Sequence, residues 1–83
     1  MSAELVHVGF GNFIAVNKVV AIAHPNSAPV KRIVQEARAK GLVIDLTSGR
    51  KTKAVVTMDS GHMVLAAIAP ETIAGRVTVG RGE

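Results

Sequence analysis

The chain has 83 residues with no cysteine, tryptophan or tyrosine and only two phenylalanines, which excludes a disulfide framework and a thiolate zinc site. An apolar share of 48% excludes a disordered tail; it also exceeds what one small domain encloses, because only roughly 60% of the unfolded surface is buried at this size, so copies of the chain are expected to cover one another. The net charge of +4 is uneven: residues 18 to 53 carry eight basic and two acidic side chains, and the remainder two basic and four acidic.

Leu5 to Val8 is short and β-branched and runs into Gly9-Phe10-Gly11-Asn12, a turn whose glycines supply positive φ. Strand character resumes over Phe13–Val16 and again over Val19–Ala23 after Asn17-Lys18, giving two or three short strands. Ser27 is placed to N-cap a helix with Pro29 in its first turn, where a missing N–H costs nothing. Val30, Ile33, Val34 and Ala37 then form an apolar stripe, and Gly41 is the stop, so the spacing predicts a helix over 28–40 with Lys31, Arg32, Arg38 and Lys40 off the stripe. Leu42–Leu46 and Ala54–Met58 read as strands joined through Thr47-Ser48-Gly49-Arg50-Lys51-Thr52-Lys53, a hairpin with a cationic tip. Asp59-Ser60-Gly61-His62 is a turn closed by Asp59, Met63–Ile68 a further strand, Pro70 the start of a short C-terminal helix, and residues 80–83 a frayed tail. The class is α+β: one domain, residues 1–83, with a short antiparallel or mixed sheet and one main helix.

No catalytic residue can be named. His7, His24 and His62 lie in three segments without metal-ligand spacing; Gly-x-Ser-x-Gly, Walker and paired-carboxylate patterns are missing, and Gly9-Phe10-Gly11 lacks the third glycine and following helix of a dinucleotide fingerprint. No enzyme activity, metal, cofactor or small-molecule substrate is expected. No apolar stretch reaches the roughly 20 residues of a membrane span, and Met1 to Glu4 lacks a signal peptide's basic region, so the expected location is the cytoplasm.

The chemistry lies in the cations. Arg50, Lys51 and Lys53 after Gly49 cannot neutralise themselves and suit phosphate oxygens; Lys31 and Arg32 on the helix and Lys18 between strands are further cationic surfaces. A polyanion is the expected partner, nucleic acid rather than membrane, because no basic helix carries aromatic anchors. Single-strand and RRM-type readers stack bases on aromatic rings, whereas here only Phe10 and Phe13 exist and Phe13 reads as core, so duplex DNA is favoured. RNA binding, or a structural self-assembling module basic only for solubility, remains the alternative.

Five runs in order, namely Gly9–Asn12, Ser27–Arg32, Asp45–Val56, Met58–His62 and Pro70–Arg76, resemble the extracellular matrix regulatory protein RemA family of Gram-positive bacteria. The resemblance implies a DNA-binding transcriptional regulator, an activator of biofilm-matrix genes, partly similar to LytTR-type domains and associated with the nucleoid. It also implies a ring-shaped homo-oligomer of about seven or eight subunits, a closed cyclic assembly. Lys18, Arg50 and Lys51 match the family's DNA-contacting positions, and Pro29 matches one needed for function; from the residues, Pro29 and Gly49 shape the site rather than contact DNA. Lysine stands at 18, 51 and 53 where the family pattern has arginine, keeping charge but losing the two-pronged planar donor. Leu46 and Ala66 also depart from the family pattern, at positions expected to affect packing only.

Overall fold

The fold is that of a computed structural model in which residues 4–80 are described. Of the tail expected to fray over 80–83, Gly80 is instead the last residue of a helix, and 81–83 lie outside the described residues, as do Met1 to Ala3. Alternation builds the first element. β1 (Leu5–His7) and β2 (Phe13–Ala15) pair antiparallel with Val6 opposite Ile14, both buried, and His7 opposite Phe13 on the outer face. Phe13 is therefore not the core residue expected of it: it is 57% exposed, its ring 5.2 Å from that of His7, because Ile14 takes the inward position of so short a strand. The connecting turn is left-handed at Gly9, Phe10 and Gly11, with φ of +106°, +56° and +75°.

A 3-10 turn at Val16–Lys18 leads to β3 (Val19–Ala23), and α1 (Ala28–Ala39) follows. Its start is the expected one: Val30 N donates to Ser27 Oγ at 3.3 Å, and Pro29 sits in the first turn. Its end is a Schellman closure, with Leu42 N donating to Ala37 O (2.8 Å), Gly41 N to Arg38 O (3.1 Å) and Gly41 at φ +73°. Of the predicted stripe, Val30, Val34 and Ala37 face the core, while Ile33 is 47% exposed, rotated about 60° off Val30 to the flank of the contact.

β4 (Val43–Asp45), β5 (Ala54–Met58) and β6 (Met63–Ala66) complete a four-stranded sheet of order β3-β5-β6-β4. β5 is antiparallel to β3 and β6, and β4 is parallel to β6. The hairpin expected over 42–58 does not form. β4 and β5 do run in opposite senses, but β6 lies between them. Its four residues are all buried, so the most apolar strand takes a central place and the 46–53 segment becomes a strap over its end. Leu46 N donates to Leu65 O (2.9 Å) and Lys53 N to Ala66 O (2.8 Å), which ties both ends of the strap to β6.

Side-chain alternation in the sheet serves two cores. Val55, Met63 and Leu65 pack under α1 with Ala37, while Ala54, Val56, Val64 and Ala66 face the β1–β2 hairpin and α2 (Pro70–Gly80), where Ile73 is fully buried. The layers are thus helix, mixed sheet, and hairpin with helix. α2 is longer than the short segment expected, and Arg76 Nη1 ties it to the hairpin by donating to His7 O at 2.8 Å. Among the described residues no helix is long and apolar enough to cross a membrane.

Candidate nucleic-acid interface

The sheet has two ends, and the cations divide between them. The end of β3, the start of β5 and the ends of β6 and β4 coincide, since Ala23 pairs with Val55, Ala54 with Ala66 and Asp45 with Leu65. Here the strap carries Arg50, Lys51 and Lys53, all exposed, and here α1 begins with exposed Lys31 and Arg32. Pro25 and Thr52 are shared by two adjoining clefts, one reached by Lys51 and Lys53 and the other by Lys31 and Arg38. The clefts therefore set Lys51 and Lys53 of the strap beside Lys31 and Arg38 of α1, while Arg32 and Arg50 line neither and Arg50 turns toward Phe10 of the hairpin. Among the described residues, none of Arg50, Lys51, Lys53, Lys31 and Arg32 has an ion-pair partner.

Lys18 is not at that end of the sheet. It precedes Val19, which pairs with Met58 at the far end of β5, roughly 13 Å away at about 3.3 Å per residue. Its Nζ lies 3.8 Å from Asp59 Oδ2. The turn that follows is closed by the backbone, Gly61 N donating to Met58 O (3.0 Å) and Met58 N to His62 O (2.9 Å), and not by the Asp59 side chain as expected. Asp59 pairs instead with Lys18, while Ser60 Oγ and His62 Nδ1 lie 2.6 Å apart.

The strap is held by local chemistry. Asp45 Oδ1 accepts from Thr47 Oγ1 (2.6 Å) and Thr47 N (2.9 Å), an Asx turn with Thr47 buried beneath it. Those two bonds hold the Asp45 carboxyl below its ordinary 3.8, and the nearby Arg38 charge adds to the effect. Arg50 N then closes onto Thr47 O at 2.9 Å around Ser48 and Gly49, at φ +53° and +80°. No atom crowds the missing Cβ of Gly49, so glycine is suited there by conformation and not by space. Pro29 is exposed at the first turn of α1, a place consistent with setting where the helix begins.

Three features at this end were not among the expectations from the sequence. His24 Nε2 and Glu71 Oε2 lie 2.9 Å apart across 47 residues, and the Glu71 carboxyl is held low by its own backbone N–H and then by His24. The Arg50 guanidinium lies over the Phe10 ring, 5.3 Å from its centroid. Neither pair has a local signal, whereas the third, Asp45-x-Thr47, carries the residue types of an Asx turn. Among the described residues no three His, Cys, Asp or Glu side chains gather as a metal site. At the Lys18 end an open groove of about 530 Å3 is lined mainly by apolar side chains, Phe13, Ile44, Leu46 and Met58 among them.

Comparison with known proteins is consistent across the chain. The family model described as extracellular matrix regulatory protein A-like matches residues 5–77. A candidate regulatory protein of Dehalococcoides mccartyi is 65% identical over 82 residues, covering 99% of this chain and 85% of its own. Similarly named proteins of Synechococcus elongatus and Bacillus velezensis are 52% and 51% identical, covering 100% and 95% of this chain and 95% and 89% of their own.

Proposed function

The chain belongs to the extracellular matrix regulatory protein A-like (RemA-like) family, and from that premise we propose that it is a cytoplasmic, nucleoid-associated transcriptional regulator of matrix genes. In this reading it binds duplex DNA and works as a ring-shaped homo-oligomer. The observation that carries the reading is the exposed cationic end of the sheet, where Arg50, Lys51, Lys53, Lys31 and Arg32 stand without carboxylate partners among the described residues. A surface of this kind favours a partner that brings its own negative charge at regular spacing. Phosphate oxygens do so, and arginine can grip two at once.

One subunit offers few such contacts, and affinity built on counterion release falls steeply with salt. Repeating the cluster around a closed assembly makes later contacts effectively intramolecular and raises avidity by about 10²–10⁴. A ring in which the Lys18 end of one subunit adjoined the strap of another would let cations at opposite ends of a single sheet serve one duplex. Contacts of this type read how cheaply DNA bends more than the edges of its bases.

Fluorescence anisotropy titration of a labelled duplex at several salt concentrations tests the reading. Arg50→Ala is expected to weaken binding to all duplexes and to flatten the log–log salt slope by about 0.9, one phosphate's worth, for each subunit that contacts the duplex. Unchanged affinity and slope would remove the strap from the contact set. Stronger binding to structured RNA than to duplex DNA at matched salt would replace the DNA reading with the RNA one.

A further inference from the structure

Phe10 is a large apolar side chain at a turn tip, 50% exposed, on a backbone of φ +56° flanked by Gly9 and Gly11, themselves left-handed. An aromatic residue is disfavoured there, and such strain persists only where the surroundings over-determine it. They do so here. Asn12 N and Nδ2 both donate to Gly9 O at 3.0 Å, and Gly11 N donates to His7 Nε2 at 3.2 Å. A Cβ at Gly9 would meet Ile68 Cδ1 at 3.2 Å, so the hairpin turn is also pressed against the body of the protein.

The other non-glycine residue with positive φ among those described is Ser48, two positions before Arg50. The two strained residues thus serve the two partners of one contact, the guanidinium of Arg50 over the ring of Phe10. We propose that Phe10 is a positioning residue for Arg50: its ring holds the guanidinium over its face in a cation–π contact while the guanidinium N–H groups fork phosphate oxygens. An arginine free in water surrenders rotamer freedom when it binds, and one held over a ring in advance has already surrendered part of it. Lys51 and Lys53 present no plane to stack, so the arrangement is open to Arg50 and closed to them.

The proposal rests on the strap being a phosphate-contacting element, and its test separates the two. Duplex binding is measured for Phe10→Leu, Phe10→Tyr and Phe10→Gly, each with Arg50 intact and with Arg50→Ala, with thermal melts alongside. With Arg50 present, Leu and Gly are expected to weaken binding by roughly two- to fivefold with the salt slope unchanged, and Tyr to retain wild-type affinity. With Arg50→Ala all four residues at position 10 should bind alike. Phe10→Gly should melt no lower than wild type because it relieves the positive φ, so its weaker binding would not be a folding defect. Equal losses in both backgrounds would overturn the proposal in favour of direct contact between Phe10 and the nucleic acid, and wild-type binding by the Leu and Gly variants would overturn it outright. If Arg50→Ala alone changes neither affinity nor slope, the reading of the strap falls and takes this proposal with it.

Discussion

Lys18 shows how much one neighbour decides for a surface cation. Its ion pair with Asp59 spans 3.8 Å between side chains that are 57% and 52% exposed. Pairs of that kind contribute only about 0–1 kcal/mol, so Lys18 can exchange Asp59 for a phosphate at little cost, but while paired its charge is partly cancelled. Asp59→Asn removes the competitor and leaves intact the backbone bond from Asp59 N to Lys18 O, at 2.7 Å. The expected result is tighter duplex binding and a salt slope steeper by up to about 0.9 for each subunit that contacts the duplex. An unchanged slope would place Lys18 away from DNA. Residue types alone named the cations correctly as exposed, because charge on a small domain has nowhere else to go. They failed for Phe13, since a three-residue strand contains a single alternation and Ile14 has an equal claim to the interior. They failed also for the Phe10–Arg50 contact, which joins segments 40 positions apart in the sequence.

Elements defined by their own ends were legible and elements defined by their neighbours were not. α1 follows from Ser27, Pro29 and Gly41 because each acts on backbone groups within a few residues of itself. β4 and β5 were recognisable as strands, but their separation by β6 depends on which strand gains most from burial on both faces, a comparison that no local window contains. The strap inherits its form from that order and its anchorage from Asp45. Because the Asp45 carboxyl titrates below 3.8 when folded, the anchorage stabilises the protein at pH values above 3.8 and is lost as pH falls through the lowered folded value. Its exposure keeps the contribution near or below about 1 kcal/mol. Asp45→Ala should therefore lower the melting temperature slightly at neutral pH and not at all once the pH lies well below the folded value. It should also weaken duplex binding at neutral pH, because Arg50 is delivered by the turn that Asp45 holds. Identical melts for the two proteins at neutral pH would show that the strap is held without the carboxylate.

At the scale of the molecule, the apolar surplus read from composition reappears as specific surface. Leu5, Phe13, Val20, Ile33 and Ile44 are all large and exposed. Val20 lies on β3 at a register irregularity and Ile44 on β4, the two opposite edges of the four-stranded sheet. Unpaired edges with apolar side chains invite association, and a ring needs two different patches on each subunit, one to present and one to receive. The groove bordered by Ile44, Leu46, Met58 and Phe13 is concave and apolar enough to receive. Ile44→Lys would put a charge into that groove, at a cost only if another subunit covers it, while leaving the buried core of β5 and β6 untouched. Light scattering on the wild-type chain is accordingly expected to give several times the 8.6 kDa of one subunit, and Ile44→Lys to shift the mass toward that single value. Duplex affinity should fall with it by as much as about 10²–10⁴, the avidity lost when phosphate contacts are no longer linked. The salt slope should flatten by more than Arg50→Ala flattens it, since every cation on the neighbouring subunits leaves the complex together. A wild-type monomer at micromolar concentration that still bound DNA tightly would show that one copy of the cationic surface suffices, and the apolar edges would then need a different occupant.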